Sequence, residues 1–572
     1  MKLQVSILFL YISILNVHAQ ISIQEISKNW QFRKVNATNW YPAKVPGTVH
    51  TDLLQNNLIP DPFYRDNETK LQWISSIDWE YQTYFNVSKN IFQNKTINLV
   101  FEGLDTYAEV FLNGKIILHA NNMFRTWRID VKKLIRNKDN HLSIKFLSAD
   151  RIADSLANIA TIKYPSENNR NFIRKAQYHF GWDFAPKLTT CGIWRNIKLE
   201  SGENFITKKN ITPSWNIELK QTPDSIGQSF SFTEKGKPIF IKGTNWVPAD
   251  VFLPRISKEK YRNLLVAAKL AGINLLRVWG GGIYEADSFY DLCDSLHLMV
   301  WQDFMFAGAM YPADKASLEN IKQEAIDNIK RLNHHPCIVL WCGNNEIDEA
   351  WNNWGWQKQF NLSNQDATTL WKEYQQIFQE LLPQLVQTYS GKPYIPSTPL
   401  YGWGKSKSMT HGDSHYWGVW WGLEPIEKYK EKVPRFMSEY GMQSLPNLTS
   451  IKNFSLPNDR DTASVVMKLH QKHTTGYQNL AAYLLQNNLH PATFNEYIEA
   501  TQVLQTKALA TAITAHISAQ PFCMGSILWQ WNDCWPGVTW SVIDYYGNKK
   551  KVYYTIQKLF TAKQKGKSII KK

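Results

Sequence analysis

The sequence predicts a multidomain chain in which an N-terminal β-sandwich of jelly-roll type precedes a (β/α)8 TIM barrel. Three observations carry that prediction. Up to Gly202 the apolar residues fall in short β-like runs punctuated by turn residues; from Lys237 strand-like runs alternate with stretches of helical period; and beyond Lys237 polar residues gather just after the strand-like runs. The first pattern belongs to antiparallel sandwiches and the second to parallel βα units. The third places those residues on the face of a barrel where chemistry is done.

Residues 1–19 have the pattern of a signal peptide: Lys2 gives a positive start, positions 5–17 are mostly apolar, and Val17-His18-Ala19 resembles a small-residue cleavage site. The run is shorter than the roughly 20 residues of a spanning helix. The chain is therefore expected to be exported (periplasmic or secreted, lysosomal in a eukaryotic host), with no membrane partner after processing.

Residues 20–202 read as the sandwich, on runs such as Trp79-Glu-Tyr-Gln-Thr-Tyr-Phe and Ala108-Glu-Val-Phe-Leu before the turn Asn113-Gly114. One stretch, His179-Phe-Gly-Trp-Asp-Phe-Ala-Pro, breaks the pattern. Its Trp182–Asp183 pair is either a packed corner or a sugar contact reaching out of the domain. Residues 203–235 form a bridge too short for an independent domain, with a strand-like run at 229–232.

Residues 236–560 read as the barrel. A buried strand over 238–246 is followed by a helix over 257–271, a strand from Asn274, a helix over 285–298, a strand over 299–306 and a helix over 316–333. The fourth strand is Cys337-Ile-Val-Leu-Trp-Cys. Later strands are expected near Tyr394, near Ser414, at Arg435-Phe-Met-Ser-Glu and over 524–531, with helical stretches over 369–389, 463–477 and 492–519. Eight strands close a barrel. Residues 561–572 are a basic tail without a core pattern.

Composition narrows the function. The 24 Trp often stand beside Gly, Asn and Asp, which suits carbohydrate handling: indole faces stack on sugar C–H faces while amides and carboxylates bond hydroxyls. The net charge of +15 comes from scattered lysines with no recognition-helix, zinc-finger or RNA-binding pattern, so no nucleic-acid partner is expected. Six Cys are too few for a disulfide framework in 572 residues. Buried free thiols are the preferred reading, with a Cys523–Cys534 bridge as the alternative. His334-His335 falls at the lower end of the barrel, while His411 and His415 lie in a loop and a strand and would share no helical face. There is no His-Glu-x-x-His and no Gly-x-Gly-x-x-Gly, so neither metal nor cofactor is expected.

Glu346 would end the fourth strand and Glu439 the seventh, across one barrel mouth from each other. Two facing carboxylates, one protonated and one ionised, are what glycosidic cleavage requires. Taken alone, Glu346 has a lesser alternative reading as the N-terminal residue of a helix after a β-turn.

Trp341-Cys-Gly-Asn-Asn-Glu346 resembles the acid/base motif of the β-mannosidases of glycoside hydrolase family 2, and Arg435-Phe-Met-Ser-Glu439-Tyr-Gly-Met-Gln resembles that family's nucleophile strand. Pro46-Gly-Thr-Val-His, His179-Phe-Gly-Trp-Asp, Lys242-Gly-Thr-Asn-Trp-Val-Pro-Ala-Asp, Arg277-Val-Trp-Gly-Gly-Gly and Trp529 to Trp535 extend the resemblance over nearly the whole chain. It implies a galactose-binding-like first domain and an exo-acting, retaining enzyme on terminal β-D-mannose of oligosaccharides or other glycosides. Glu346 would be acid/base, Glu439 nucleophile, and Asn345 the holder of the axial 2-hydroxyl. Trp182, Asp183, Trp279, Asp303, Trp354, Trp417 and Trp535 would line the pocket, and Arg435 is read as a structural ion-pair partner.

The family normally carries an immunoglobulin-like sandwich of roughly a hundred residues between first domain and barrel. Here only the bridge at 203–235 stands in its place, and no domain pattern follows the barrel. The resemblance thus implies a short form, with apolar surface uncovered on barrel or sandwich. Galactoside or glucuronide specificity, and a non-catalytic sugar-binding remnant, are the alternatives. No oligomeric state follows from the sequence.

Overall fold

The computed structural model describes residues 21–202 and 215–562. The expected signal peptide, the first part of the bridge and the basic tail from 563 lie outside them. No helix among the described residues is long and apolar enough to cross a membrane.

The first domain is built from two antiparallel sheets. One has four strands in the order Ser22–Glu25, Ile197–Ser201, Ile97–Phe101, Trp127–Asp130; the other has six, with Trp79–Phe85 and Asn140–Leu147 at its centre. Along Asn140–Leu147 every second residue is buried, as a strand with one face on a core requires. Tyr81, Val110, Ile144 and Phe146 from one sheet meet Leu99, Phe101 and Leu199 from the other in a closed apolar core. A helix over Ala149–Ile159, unmarked in the β-like sequence pattern, packs beside it.

The second domain is a curled sheet of eight parallel strands. In chain order they are β1 (Ile241–Trp246), β2 (Leu275–Val278), β3 (Met299–Asp303), β4 (Ile338–Cys342), β5 (Tyr394–Ile395), β6 (Ser414–His415), β7 (Met437–Glu439) and β8 (Gly525–Leu528). Hydrogen-bonded neighbours run β5-β4-β3-β2-β1-β8-β7-β6. All positions of β2, β3, β4 and β8 are buried, which is why those strands read as continuous apolar runs. In β1, Gly243 leaves room for Ile527 of β8, whose Cγ1 would stand 2.7 Å from a Cβ placed there. No ladder joins β5 to β6 among the described residues. Side chains close that seam: Thr398 Oγ1 donates to Asp413 Oδ2 (2.6 Å) and Leu400 N to Asp413 Oδ1 (2.9 Å).

Two readings of the sequence are corrected here. The run over 238–246, expected as one strand, is divided: Lys237–Ile239 pairs antiparallel with Ser231–Glu234, which pairs with Ile217–Lys220, and only β1 joins the barrel. The small sheet covers the lower end of the barrel. Phe230 and Phe232 enter the lower mouth of the barrel among Leu275, Leu340, Phe436 and Ile527, and Phe230 stacks on Trp301 at 5.8 Å. Arg435 ties the sheet's approach to the barrel through Asp224 Oδ2 at 2.5 Å. The stretch expected as one helix over 463–477 is likewise two, Val465–Leu469 and Gly476–Gln486.

The two domains share a core. Phe63, Met123, Phe124, Tyr178 and Phe184 of the first domain belong to the same buried cluster as the barrel's outer layer. Arg174 makes a buried two-pronged pair with Glu324 (2.9 and 2.6 Å), and Tyr178 donates to the Asp250 carbonyl at 2.9 Å. All six cysteines are free, so Cys523 and Cys534 are not bridged.

Candidate active site

The carboxyl ends of the barrel strands open into a cavity of about 840 Å³, capped on one side by the first domain. The cap is a hairpin: Phe180–Trp182 pairs with Ala185–Lys187, and Asp183 stands in the tight turn between. Arg170 holds the hairpin against the barrel. Its guanidinium donates to the Ala307 and Gly308 carbonyls (2.8 and 2.9 Å) and lies 4.7 Å from the centre of the Trp182 ring. The Trp182–Asp183 pair is therefore no internal corner of the sandwich; it reaches into the cavity.

Glu346 follows β4 in a left-handed conformation, φ 62°, at the start of the helix Ile347–Asn353. For a non-glycine residue that conformation is costly, on the order of 1–3 kcal/mol, and survives only where its surroundings impose it. Here the Glu346 N–H donates to the Thr398 carbonyl at 2.8 Å. Helix capping falls to Asn344, whose Oδ1 accepts from Ile347 N at 3.1 Å. The Glu346 side chain is thus released from the capping role and turns to the cavity.

Glu439 ends β7 on the facing wall, with Trp417 Nε1 donating to its Oε2 (3.1 Å) and Arg277 Nη1 to its Oε1 (3.3 Å). Between the two carboxylates stands His415: its Nδ1 is 2.9 Å from Glu346 Oε1 and 3.1 Å from Glu439 Oε2. Facing oxygens of the two glutamates lie within 4.8 Å of each other. The Thr398 hydroxyl spends its proton on Asp413, so at 3.2 Å it can only accept from His415 Nε2. Both imidazole nitrogens are donors, and the ring is cationic.

The charges follow from this arrangement. Burial alone would depress His415, but the charges of Glu439 and Glu346 and the hydrogen bonds to them raise it to about 9. Burial pushes Glu346 up, and the neighbouring Glu439 charge adds to it; the His415 contact opposes without reversing them. Burial also acts upward on Glu439, yet His415, Arg277 and Trp417 together hold it below the usual carboxylate range. The two carboxylates are driven apart, Glu346 towards holding a proton and Glu439 towards losing one. Asp183 is pushed well up, chiefly by burial.

Beneath the floor, Arg277 organises the polar set. Its Nη2 donates to Asp303 Oδ2 (2.9 Å) and Asn345 Oδ1 (2.6 Å), and its Nη1 to Asn245 Oδ1 (2.9 Å). Because a guanidinium only donates, the Asn345 amide must present its oxygen to Arg277 and its nitrogen to Glu346 Oε2, 3.2 Å away.

Of the residues named from sequence, Trp182, Asp183, Trp279, Asn345, Glu346, Trp354, Trp417 and Glu439 line this one cavity. Asp303 and Trp535 do not. Asp303 is fully buried, with its oxygens on Arg277 and on the Gly280 N–H (3.1 Å), so it acts from below the floor. Trp535 is sandwiched deeper, stacked on His470 at 4.6 Å, and Trp529 and Trp540 line the cavity instead. Sequence reasoning also missed His415, although its place at the end of the sixth strand was the signal that could have found it. Trp403 and Trp421, about half exposed at the rim, were missed as well.

Glu346, His415 and Glu439 could together offer three ligand atoms to a metal, but a cationic imidazole has no lone pair to give. His335 lies at the opposite end of the barrel, where its Nδ1 meets Asp294 Oδ2 at 2.6 Å.

Comparison with known proteins places the chain among its relatives. Residues 30–195 match the family model described as glycosyl hydrolase 2 galactose-binding domain-like. The chain is 32% identical to β-mannosidase B of Aspergillus terreus, covering 94% of this chain and 76% of that one, and 31% identical to β-mannosidase B of Thermothelomyces thermophilus over 93% and 76%. Among solved structures, β-D-mannosidase from Dictyoglomus thermophilum superposes with a TM-score of 0.85 at 35% identity, over 94% of this chain and 78% of that one. The exo-chitosanase of Amycolatopsis orientalis, at 16% identity and a TM-score of 0.69 over 94% and 73%, shares the fold.

Proposed function

The chain belongs to the β-mannosidases of glycoside hydrolase family 2, and from that premise we propose that it removes terminal β-D-mannose residues by a retaining double displacement. The observation that carries the mechanism is the facing pair Glu346 and Glu439, within 4.8 Å and with acidities driven in opposite directions. Carboxyl groups roughly 5–5.5 Å apart suit a retaining reaction, while an inverting one needs about 6.5–9.5 Å for an intervening water.

In the first step ionised Glu439 attacks the anomeric carbon while Glu346 gives its proton to the departing oxygen. The glycosyl–enzyme ester so formed removes the negative charge from Glu439. The neighbour that held the Glu346 pKa up is then neutral, so Glu346 becomes the stronger acid and sits ionised, ready to take a proton from the attacking water. Asn345 can offer its remaining amide N–H to the 2-hydroxyl, and Asp183, kept protonated, can donate to a hydroxyl on the far side of the ring. The hairpin that carries Trp182 and Asp183 closes one end of the cavity, which suits removal of one terminal sugar from a longer glycoside.

Proton NMR of the first mannose released from an aryl β-mannoside tests the mechanism. The β-anomer should appear first, and initial release of the α-anomer would overturn it. A panel of aryl β-glycosides tests the sugar, with galactoside or glucuronide turnover in place of mannoside rejecting this reading. We further propose export, which predicts that the secreted protein begins at Gln20.

A further inference from the structure

One residue before β6, Asp413 lies behind the catalytic mouth with no exposed surface. Its Oδ1 accepts from Leu400 N at 2.9 Å, and its Oδ2 accepts from the Thr398 and Ser438 hydroxyls, both at 2.6 Å. Thr398 stands just past β5 and Ser438 on β7, so one carboxylate gathers three elements. A framework role accounts for that much. It does not account for the Thr398 oxygen, which also meets His415 Nε2 at 3.2 Å.

A hydroxyl has one proton to give. With that proton on Asp413, Thr398 offers His415 only an oxygen, and Nε2 must carry a hydrogen to meet it. Nδ1 is already committed to Glu346 and Glu439, so the ring keeps both protons. An amide at position 413 would reverse this relay without removing a bond. Its oxygen would have to face Leu400 N, which can only donate, and its nitrogen would then donate to the two hydroxyls. The Thr398 proton, released, would turn to Nε2, and the ring would meet it as a neutral acceptor. Ser438 could turn its own proton to the Ser414 carbonyl, 3.2 Å away.

The other groups around the ring are unaffected by such a change. Glu346 after β4 and Glu439 on β7 touch it, and Asp303 on β3 lies within reach of its charge. Arg277 on β2 and Asp183 on the hairpin face the glutamates. The Cys342 thiol, which faces Asp413 from β4, is pushed well up by burial and stays neutral. The hydrogen-bonded link from Asp413 to the ring is Thr398.

We infer that Asp413 is a positioning residue for the reaction: through Thr398 Oγ1 it holds His415 as a two-proton donor between Glu346 and Glu439. The inference goes beyond the two-carboxylate reading, and only its kinetic arm rests on that reading.

The first arm reads the ring directly, by imidazole nitrogen NMR of the full chain carrying isotope-labelled histidine. The signal missing in His415→Gln identifies the ring among the 14 His. In the unaltered chain both nitrogens should stay protonated up to about pH 9. In Asp413→Asn the ring should lose a proton about 1–3 pH units lower. Thr398→Val, which removes the accepting oxygen, should do the same, while Thr398→Ser should keep the unaltered value. The Thr398 pair decides the matter if Asp413→Asn does not fold.

The kinetic arm asks whether Asp413 acts through the ring. The basic limb of the kcat/KM profile reports the Glu346 proton, and a neutral ring no longer lowers that pKa, so Asp413→Asn should move the limb upward. Added to His415→Gln, the same substitution should leave the limb in place. An unchanged His415 titration in Asp413→Asn and Thr398→Val, or an equal limb shift with and without His415, would overturn the proposal and return Asp413 to the framework. If the unaltered chain turns over no mannoside, the catalytic reading fails, and the nitrogen signals still decide this one.

Discussion

Arg277 Nη2 donates to Asn345 Oδ1 at 2.6 Å, and that one bond decides which way the amide faces. With its oxygen committed, Asn345 can meet a sugar only as a donor. Asn345→Ala should therefore lower kcat/KM on β-mannosides by about 10²–10³, the usual cost of one donor aimed at developing charge. On a 2-deoxy substrate the variant and the unaltered enzyme should differ by far less. An equal loss on both substrates would place Asn345 in the framework and away from the 2-hydroxyl.

The two glutamates should separate by leaving group. Glu346→Ala is expected to cost about 10²–10⁴ in kcat on substrates that need a proton for departure and little on dinitrophenyl mannoside. Glu439→Ala should abolish turnover of all of them. Steady-state kinetics over a leaving-group series measures this, and parallel losses for both variants on the activated substrate contradict the assigned roles.

His415 sets the pH at which both carboxylates work. It is cationic between them, so replacing it with Gln removes a charge that lowers the pKa of both carboxyl groups. The acid and basic limbs of the kcat/KM profile should each move upward, by about 1–3 pH units. Stability carries a second signature. The folded pKa of His415, about 9, lies above the ordinary value of 6.5, so its stabilising contribution is full below about 6.5 and is lost as pH rises towards 9 and beyond. Urea unfolding across that window should show the loss in the unaltered chain, and His415→Gln should lack it.

The domain seam is expected to be sensitive to Glu324. Its carboxylate takes both prongs of Arg174, a bond from Tyr284 (3.0 Å) and one from Asn122 (2.9 Å). Glu324→Ala leaves a buried, unpaired guanidinium and should cost about 3–5 kcal/mol in urea unfolding. Activity should fall with it, since the hairpin bearing Trp182 and Asp183 is carried by the same domain.

The plug beneath the barrel should matter as much. Phe232→Ala is expected to destabilise by about 3–5 kcal/mol through lost burial and the cavity left among Phe436, Leu340 and Ile527. Chemical denaturation measures it, and a loss below about 1 kcal/mol would mean that the small sheet merely rests on the barrel.

Much of the site was legible because a parallel barrel sends its polar residues to one end. Glu346, Asn345, Trp417 and Glu439 each stand at or just past the end of a strand-like run, so strand order alone brought them to one mouth. The misreadings share a cause. Trp529, Trp531 and Trp535 stand within seven positions, and periodicity past the end of β8 does not say which indole turns inward. Asp303 ends its strand as expected, but the Arg277 guanidinium on the neighbouring strand draws it below the surface.

By itself the sequence determined the order of elements, the meeting of Glu346 and Glu439 at one barrel mouth and the family, since these rest on period, spacing and motif. Tertiary structure alone decided the charge of His415, the direction of the Asn345 amide and the covering of the barrel's lower mouth by Phe230 and Phe232. Each depends on which groups far apart in the chain come within hydrogen-bond or van der Waals reach. Thr398, Asp413 and Glu439 fix one proton; Arg277 orients one amide. Such contacts leave no trace in local pattern, because the energy that selects them appears only when the strands have closed.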